Sequence, residues 1–296
     1  MILQEKDKIR SDTSGLDPCS SEPALTFRLQ ASSVVGGGQS HFQASSDTSG
    51  LQAIQVIERL NKYNIENYTL LPDNKYGFIV DVEGSVDLSN KNLNNIPVKF
   101  NIVNGNFHCD NNNLTSLEFC PKKVNRNFNC SYNKLTSLEF CPRNIGGSFD
   151  CRNNKLASLE FCPKTVAGNF YCKYNDLTSL DFCPETINGS FSCSNNNLPN
   201  LEFCPKTVTG NFYCSYNDLT SLEFLPENIH GSFSCSDNKL IGVDMNKKYN
   251  FTGIYKIHCE HKINIDRESL DKNISNKDIT ISNRKIKIRK IPQKIF

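Results

Sequence analysis

The residues best suited to chemistry in this sequence are its 14 cysteines, which could form disulfides, bind a metal ion or supply a thiolate nucleophile. Twelve of them fall into two columns with a period of 21 residues. The first column is Cys109, Cys130, Cys151, Cys172, Cys193, Cys214 and Cys235, and the second is Cys120, Cys141, Cys162, Cys183 and Cys204. Leu225 takes the sixth place of the second column, and a position that accepts Leu is apolar.

Metal-binding cysteines usually occur in C-x-x-C pairs, and none is present. A free Cys packs as a small apolar residue, so we predict reduced cysteines inside the fold. Disulfides and then metal binding stay open as the lesser alternatives. The cluster His258, Cys259, Glu260 and His261 is the one local set of metal-ligating residue types, but residues 258 and 261 would point to opposite faces of a strand.

Sequence motifs for catalysis or for cofactors are missing. The sequence has no G-x-S-x-G, no H-E-x-x-H and no acidic pair in a distinctive setting. Gly36, Gly37 and Gly38 lack the Gly-Lys-Ser/Thr that completes a phosphate-binding loop. We therefore predict a non-enzyme with no catalytic residue, no metal and no cofactor.

The elements that position the cysteines follow from a repeated unit, G-[N/S]-F-x-C-x-x-N-x-L-T-S-L-E-F-C-P-x-x-[V/I]-x. Seven units cover about 105–245 without an insertion, and Val86, Leu88 and Leu93 keep the frame of a degenerate eighth unit. The F-x-C alternation places both side chains on one face of a short strand, and repeated copies predict a parallel ladder. The Asn should bond backbone groups of its own coil and the next, and Pro followed by Val or Ile predicts an extended return segment.

The segment F-x-C-x-x-N-x-L resembles the core of the leucine-rich repeat, L-x-L-x-x-N-x-L, with Phe and Cys in the first two leucine places. Its continuation, L-T-S-L-E-F-C-P, resembles the short bacterial type, although Glu-Phe-Cys precedes the Pro. Similar repeats occur in uncharacterised proteins of bacteria, phages and large DNA viruses. The resemblance covers about 160 of 296 residues and implies a right-handed, mostly β solenoid of the α/β type with a parallel strand face. Fewer than 55 residues follow the repeats, too few for the ubiquitin-ligase domain that some relatives of this type carry.

Four regions follow from these patterns. Residues 1–50 are rich in Ser and Gly and are predicted to be a disordered tail. Residues 51–85 should form an N-terminal cap, with a helix whose apolar stripe is Leu51, Ile54, Ile57 and Leu60 and a hairpin that pairs 68–71 with 78–82. Residues 86–245 form the solenoid, and 246–296 form a strand-rich C-terminal cap with a basic tail.

The C-terminal cap alternates apolar and polar residues at 254–259, 278–282 and 285–291, which is typical of strands. Its last part is basic, with Arg284, Lys285, Lys287, Arg289, Lys290 and Lys294. We interpret the basic residues as the solvated side of an edge strand, where Lys discourages edge pairing. A nucleic-acid or lipid patch is the alternative.

Composition excludes several classes of function. Lys and Arg number 33 against 31 Asp and Glu, so the net charge of +2 gives no general attraction to nucleic acid. No run of about 18 apolar residues could span a membrane. The first residues do not resemble a signal peptide, so we expect an intracellular, cytoplasmic protein, or one in a host cell if it is viral or an effector.

The side chains beside the strand Phe and Cys vary from coil to coil while the framework stays constant, as in solenoids that bind partners. We predict a monomeric protein-binding module whose concave strand face binds a partner. The predicted contact residues are Tyr132, Arg152, Tyr171, Lys173, Tyr174, Tyr213 and Tyr216. The alternative is a structural or surface-attached protein, secreted by a non-classical route, with oxidised cysteines.

Overall fold

The described part of the chain is a mostly β parallel solenoid of about seven turns with a 21-residue period and one helix. A computed structural model describes the backbone at 48–240, 250–251, 255–257, 279–281 and 286–287, with side chains for 50–240. Residues 1–47 of the predicted tail, the cluster at 258–261 and the basic side chains from Arg284 onward lie outside the described residues.

One ladder of strands carries the F-x-C motif. Its neighbours pair parallel and in register, so that Phe107 lies between Val86 and Phe128. Only the last pair of this ladder, Ile279–Ile281 with Ile286–Lys287, is antiparallel. In spatial order the strands are β3 (Val86–Asp87), β5 (Phe107–His108), β7 (Phe128–Asn129), β9 (Phe149–Asp150), β10 (Phe170–Tyr171), β12 (Phe191–Ser192), β14 (Phe212–Tyr213), β16 (Phe233–Ser234), β18 (Tyr255–Ile257), β19 (Ile279–Ile281) and β20 (Ile286–Lys287).

This ladder continues past residue 245, where the sequence period was expected to end. Tyr255 of β18 pairs with Phe233 of β16, a step of 22 residues (255 − 233) in place of 21. One extra residue shifts the sequence pattern without breaking the pairing of the backbone. The three predicted C-terminal segments each contain a strand, so those strand predictions are confirmed.

The predicted return segment forms a second parallel ladder. It is interrupted at Val166, which is joined to Ile145 and Ile187 by single bridges. On one side of the interruption lie β1 (Tyr68–Asp73), β2 (Gly77–Val82), β4 (Phe100–Val103), β6 (Lys123–Val124) and β8 (Asn144–Ile145). On the other side lie β11 (Thr186–Ile187), β13 (Thr207–Val208), β15 (Asn228–Ile229) and β17 (Asn250–Phe251).

The N-terminal helix, α1, spans Thr48–Lys62 and begins three residues before the predicted cap region, which was expected to start at Leu51. The predicted stripe is wrong at Leu51, which is 57% exposed, while Leu60 is buried and Ala53, Val56 and Ile57 pack against the core. The predicted hairpin is confirmed as the antiparallel pair β1 and β2. Because β2 also pairs parallel with β4, the hairpin supplies the first two strands of the second ladder.

The strand Phe residues form a buried stack along the solenoid. From Phe107 to Phe233 the ring centroids of neighbouring coils lie 5.2 to 5.8 Å apart. The first Cys column is fully buried, as predicted, whereas the second is buried at Cys120 and Cys141 and partly covered from Cys162 onward. Each buried Phe contributes about 1.5–3 kcal/mol, and the stack belongs to one continuous core with the buried Leu, Val, Ile and Cys residues of the same coils.

The repeated Asn ties each coil to its neighbour. The Asn175 Nδ2 atom donates to the carbonyl of Cys172 in its own coil (3.0 Å) and to that of Cys151 in the preceding coil (3.1 Å). Its Oδ1 atom accepts from the N–H of Leu156 at 3.1 Å, again in the preceding coil. The predicted role is confirmed but its direction was wrong, because spacing along a sequence does not say which neighbouring coil a side chain reaches.

Coils alternate between two types. From Asn127 onward the residue before the strand Phe is alternately Asn and Ser, whereas Asn106 and Asn127 are two Asn in succession. The Asn127 Oδ1 atom accepts from the Ser148 N–H at 2.8 Å. The Ser148 Oγ atom accepts from the Asn169 N–H at 3.0 Å, and the ladder continues to Ser232. The buried residue of the return segment alternates in step: Val124, Ile145, Val166, Ile187, Val208 and Ile229. The full structural repeat is therefore two coils long.

Candidate protein-binding surface

The turn that leaves the strand face holds one residue per coil in the left-handed region, with φ between 52° and 57°. These residues are Asn90, Asn111, Tyr132, Asn153, Tyr174, Asn195, Tyr216 and Asp237. Asn and Asp tolerate this conformation, whereas an ordinary side chain pays about 1–2 kcal/mol. Tyr occupies it in every second coil, and the rings of Tyr132, Tyr174 and Tyr216 are about half exposed.

Arg152 lies at the centre of the predicted site. Its guanidinium carbon is 5.9 Å from the centroid of the Tyr132 ring and 5.8 Å from that of the Tyr171 ring. An ion pair of 3.0 Å joins its Nη2 atom to Asp150, and the Arg152 N–H donates to the same carboxylate at 3.1 Å. The guanidinium is thus held by two rings and a carboxylate of its own chain.

The Arg152 Nε atom is buried and has no hydrogen-bond partner among the described residues. Burial raises the pKa of the Asp150 carboxyl, and the nearby Arg152 charge opposes that rise. Burial also raises the pKa of the Tyr171 hydroxyl, with a smaller contribution from the charge on Asp150. These groups are therefore partly removed from water, which strengthens the electrostatic contacts between them.

The neighbouring coil adds Lys173 and Tyr174, whose Nζ atom and ring centroid lie 5.7 Å apart. The structure thus brings Tyr132, Arg152, Tyr171, Lys173 and Tyr174 together across three consecutive coils. Tyr213 and Tyr216 occupy the same two columns two coils further on, beyond the coil of Ser192. They extend the aromatic surface. Among the described residues, neither Tyr213 nor Tyr216 has an ion-pair or ring contact with Arg152.

Part of the predicted variable face is not open. Ser131, Asp150, Ser192 and Ser194 are buried, although sequence reasoning treated their positions as solvated. Because neighbouring coils are only about 4.8 Å apart, small side chains are covered by the larger side chains of the adjacent coils. At the N-terminal end of the face, His108 Nδ1 lies 3.9 Å from Asp110 Oδ1.

The cysteines of this fold are poorly placed for chemistry. Burial raises the pKa of Cys109, Cys130 and Cys151 well above its usual range, and other members of both columns behave alike. Protonated thiols are weak nucleophiles and weak metal ligands. Among residues 48–240, no group of three or more His, Cys, Asp and Glu could hold a metal ion.

Sequence reasoning missed a second aromatic column, the Phe edge, which consists of Phe119, Phe140, Phe161, Phe182, Phe203 and Phe224. From Phe140 to Phe224 these rings are exposed. The available signal was a Phe repeated beside Cys120 and its equivalents, in a place where the short bacterial repeat has none.

No protein-family model matches this sequence, and no curated protein is significantly similar to it. Within the described part of the chain, no helix has both the length and the apolar character needed to cross a membrane.

Proposed function

We propose that this chain is a non-enzymatic protein-interaction module that binds a protein partner on the strand face. The observation that carries the proposal is the Arg152 guanidinium held between the Tyr132 and Tyr171 rings. Arg and Tyr are the residue types that most often dominate the binding energy of an interface. Here they stand on a surface whose other positions are mostly Ser and Asn.

Rigidity supports the same proposal. Each strand is held by two parallel neighbours, and the Asn column adds hydrogen bonds between coils. Contact residues on such a frame lose little conformational entropy when a partner binds. The cluster from Tyr132 to Tyr174, continued by Tyr213 and Tyr216, offers a rigid surface about 20 Å long at a coil spacing of about 4.8 Å.

We further propose that the solenoid is a right-handed leucine-rich repeat of the short type, with a concave strand face and with the helix, the hairpin and the C-terminal strands as caps. Phe149 and Cys151 stand in the first two leucine places and are fully buried, as are Leu156 and Leu159. The hydrogen-bonded Asn in the turn supports the same assignment.

Affinity capture from a native lysate tests the binding surface. The bait is the full chain, compared with a triple variant, Tyr171→Ala, Lys173→Ala and Tyr174→Ala. A matched control variant, Lys134→Ala, Thr136→Ala and Lys155→Ala, changes exposed residues that are not among the predicted contact residues. We expect the partner to be lost from the first variant and kept by the second, as measured by quantitative mass spectrometry. An unchanged capture profile for both variants would rule out this choice of surface.

A further inference from the structure

The Phe edge destabilises this fold through its backbone conformation and the exposure of its rings. Phe119, Phe140, Phe161, Phe182 and Phe203 have φ between 62° and 75°, in the left-handed region. A bulky residue pays about 1–2 kcal/mol there, which Asn or Gly would largely avoid. From Phe140 to Phe224 each residue is 44–63% exposed, so five neighbouring coils present on the order of 500 Å² of aromatic surface. Monomeric proteins rarely expose a larger apolar patch, and such patches are often functional.

Phe119, the first member of the column, is partly covered by other side chains of the same chain. The Phe119 ring is only half-buried, and Tyr76 from the hairpin turn packs edge-on against it, with ring centroids 5.3 Å apart at an interplanar angle of 81°. The Lys99 ammonium lies 5.9 Å from the Phe119 centroid and 5.8 Å from the Tyr76 centroid. Lys75 lies 4.9 Å from the Tyr76 centroid. The side chains that cover Phe119 are therefore one aromatic ring and the lysines beside that ring.

Negative charge follows the same column. An acidic residue precedes each Phe: Glu118, Glu139, Glu160, Asp181, Glu202 and Glu223. All but Asp181 are exposed, and Asp181 is partly exposed. At the covered end, the charge of Glu118 contributes to the raised pKa of Lys75, after the larger effect of the hydrogen bond to Tyr76. The acidic column favours a cationic ligand and disfavours an anionic lipid surface.

The spacing of the Phe residues along the column indicates which secondary structure a bound segment would need. Coils recur about every 4.8 Å, whereas side chains on one face of an extended strand recur about every 6.6 Å. One turn of an α-helix rises 5.4 Å, so a helix can place about one side chain against each coil. Four intervals between Phe140 and Phe224 span about 19 Å, which is the length of a helix of about 13 residues.

We propose that the Phe edge from Phe140 to Phe224 is a second docking surface, and that it binds a basic amphipathic helix of a protein partner with one aromatic or large apolar side chain per turn. The Phe rings pack against that stripe, and Lys or Arg residues beside it pair with the acidic column. This surface is separate from the strand face that carries Arg152.

A labelled helical peptide tests the proposal with the full chain. The probe has about 18 residues of Ala, Lys and Tyr, with one Tyr per turn and Lys on both sides of the Tyr stripe. Two control peptides replace Lys with Glu or Tyr with Ser. By fluorescence anisotropy we expect the Lys–Tyr peptide to bind, the two control peptides to bind at least about tenfold more weakly, and added salt to weaken binding.

The test variant is Phe161→Asn with Phe182→Asn, in which Asn suits the left-handed backbone. The matched control, Tyr174→Asn with Tyr216→Asn, makes the same exchange on the strand face. We expect the first to lose at least about tenfold in affinity and the second to bind like the natural chain. A second variant, Glu160→Gln with Glu202→Gln, changes exposed residues only. We expect it to weaken peptide binding, so it tests the same surface if the Phe variant folds poorly.

Several results would overturn the proposal. One is no binding of the Lys–Tyr peptide, and another is equal binding of the Glu–Tyr peptide. A third is unchanged affinity in a folded Phe variant. Sedimentation of the full chain as a dimer that the Phe variant dissociates would assign the edge to a second copy. Cosedimentation with phosphatidylcholine vesicles that the Phe variant abolishes would assign it to a membrane.

Discussion

Mildly alkaline pH should unfold this protein, because its thiols are buried. Burial raises the pKa of ten cysteines: Cys109, Cys120, Cys130, Cys141, Cys151, Cys162, Cys172, Cys183, Cys193 and Cys214. In the unfolded chain a thiol ionises with a pKa of about 8.5. The unfolded state therefore releases these protons first, so the stabilisation is complete only well below about pH 8.5 and is lost progressively as the pH rises toward and past that value.

The expected magnitude follows from the number of thiols. Ionisation stabilises the unfolded state by about 0.4 kcal/mol per thiol at pH 8.5 and by about 1.4 kcal/mol at pH 9.5. The eight of these thiols that are buried, without the partly covered Cys162 and Cys183, together give about 3 and about 11 kcal/mol, on an order-of-magnitude scale. Because a whole domain is usually stable by about 5–15 kcal/mol, the reduced protein should unfold by about pH 9.5.

Urea titrations followed by far-ultraviolet circular dichroism, with a reductant present, will measure this loss between about pH 7 and 9.5. Tyr and Lys ionise near or above pH 10 and contribute little in that window. Cys141→Leu is a matched variant, because Leu225 already occupies the corresponding place and Cys141 is buried, and it should retain about 1.4 kcal/mol more stability at pH 9.5 than the natural chain relative to their values at pH 7. A urea midpoint that stays constant from pH 7 to 9.5 would refute the burial of protonated thiols.

Substitutions at Asn175 and Tyr216 test the stability of the solenoid, and a thiol count tests its redox state. Asn175→Ala should cost about 2–4 kcal/mol in a urea titration, because buried partners in two coils lose their bonds, and Asn175→Asp should not restore stability since a carboxylate cannot donate. Tyr216→Asn should raise the unfolding free energy by about 1 kcal/mol by relieving the left-handed conformation, and no change or a loss would contradict the strain. A thiol count in denaturant without reductant should approach 14, whereas a much lower count would favour the secreted alternative with oxidised cysteines.

The sequence predicts the inner side of this fold well, because the core repeats. Phe107, Cys109 and Leu114 recur with a fixed period, and each is buried in the coil where it was expected. The hairpin was predictable from alternation around a turn that contains Asp73, Asn74 and Gly77. The continuation of the ladder to Tyr255 was not predictable, since a backbone pairing survives one inserted residue whereas a periodic pattern does not.

The surface was less predictable than the core. The contact of Arg152 with Tyr132 and Tyr171 joins residues about one coil apart, and only the pairing register shows that they meet. The exposure of Phe161 could not be read from its residue type, because Phe is usually buried. A period identifies positions that share an environment, but it does not say whether that environment is core or solvent.

The alternation of coil types limits how the solenoid can be lengthened or shortened. From Asn127 to Ser232 the Asn–Ser ladder, the alternating Val and Ile, and a Tyr in every second turn all repeat over 42 residues, twice the coil period. The alternation begins only there, because Asn106 and Asn127 lie side by side and the Asn127 N–H donates to the Asn106 side chain. Inserting or deleting one coil between Asn127 and Ser232 would place two Ser or two Asn side by side, whereas inserting or deleting a pair preserves every junction.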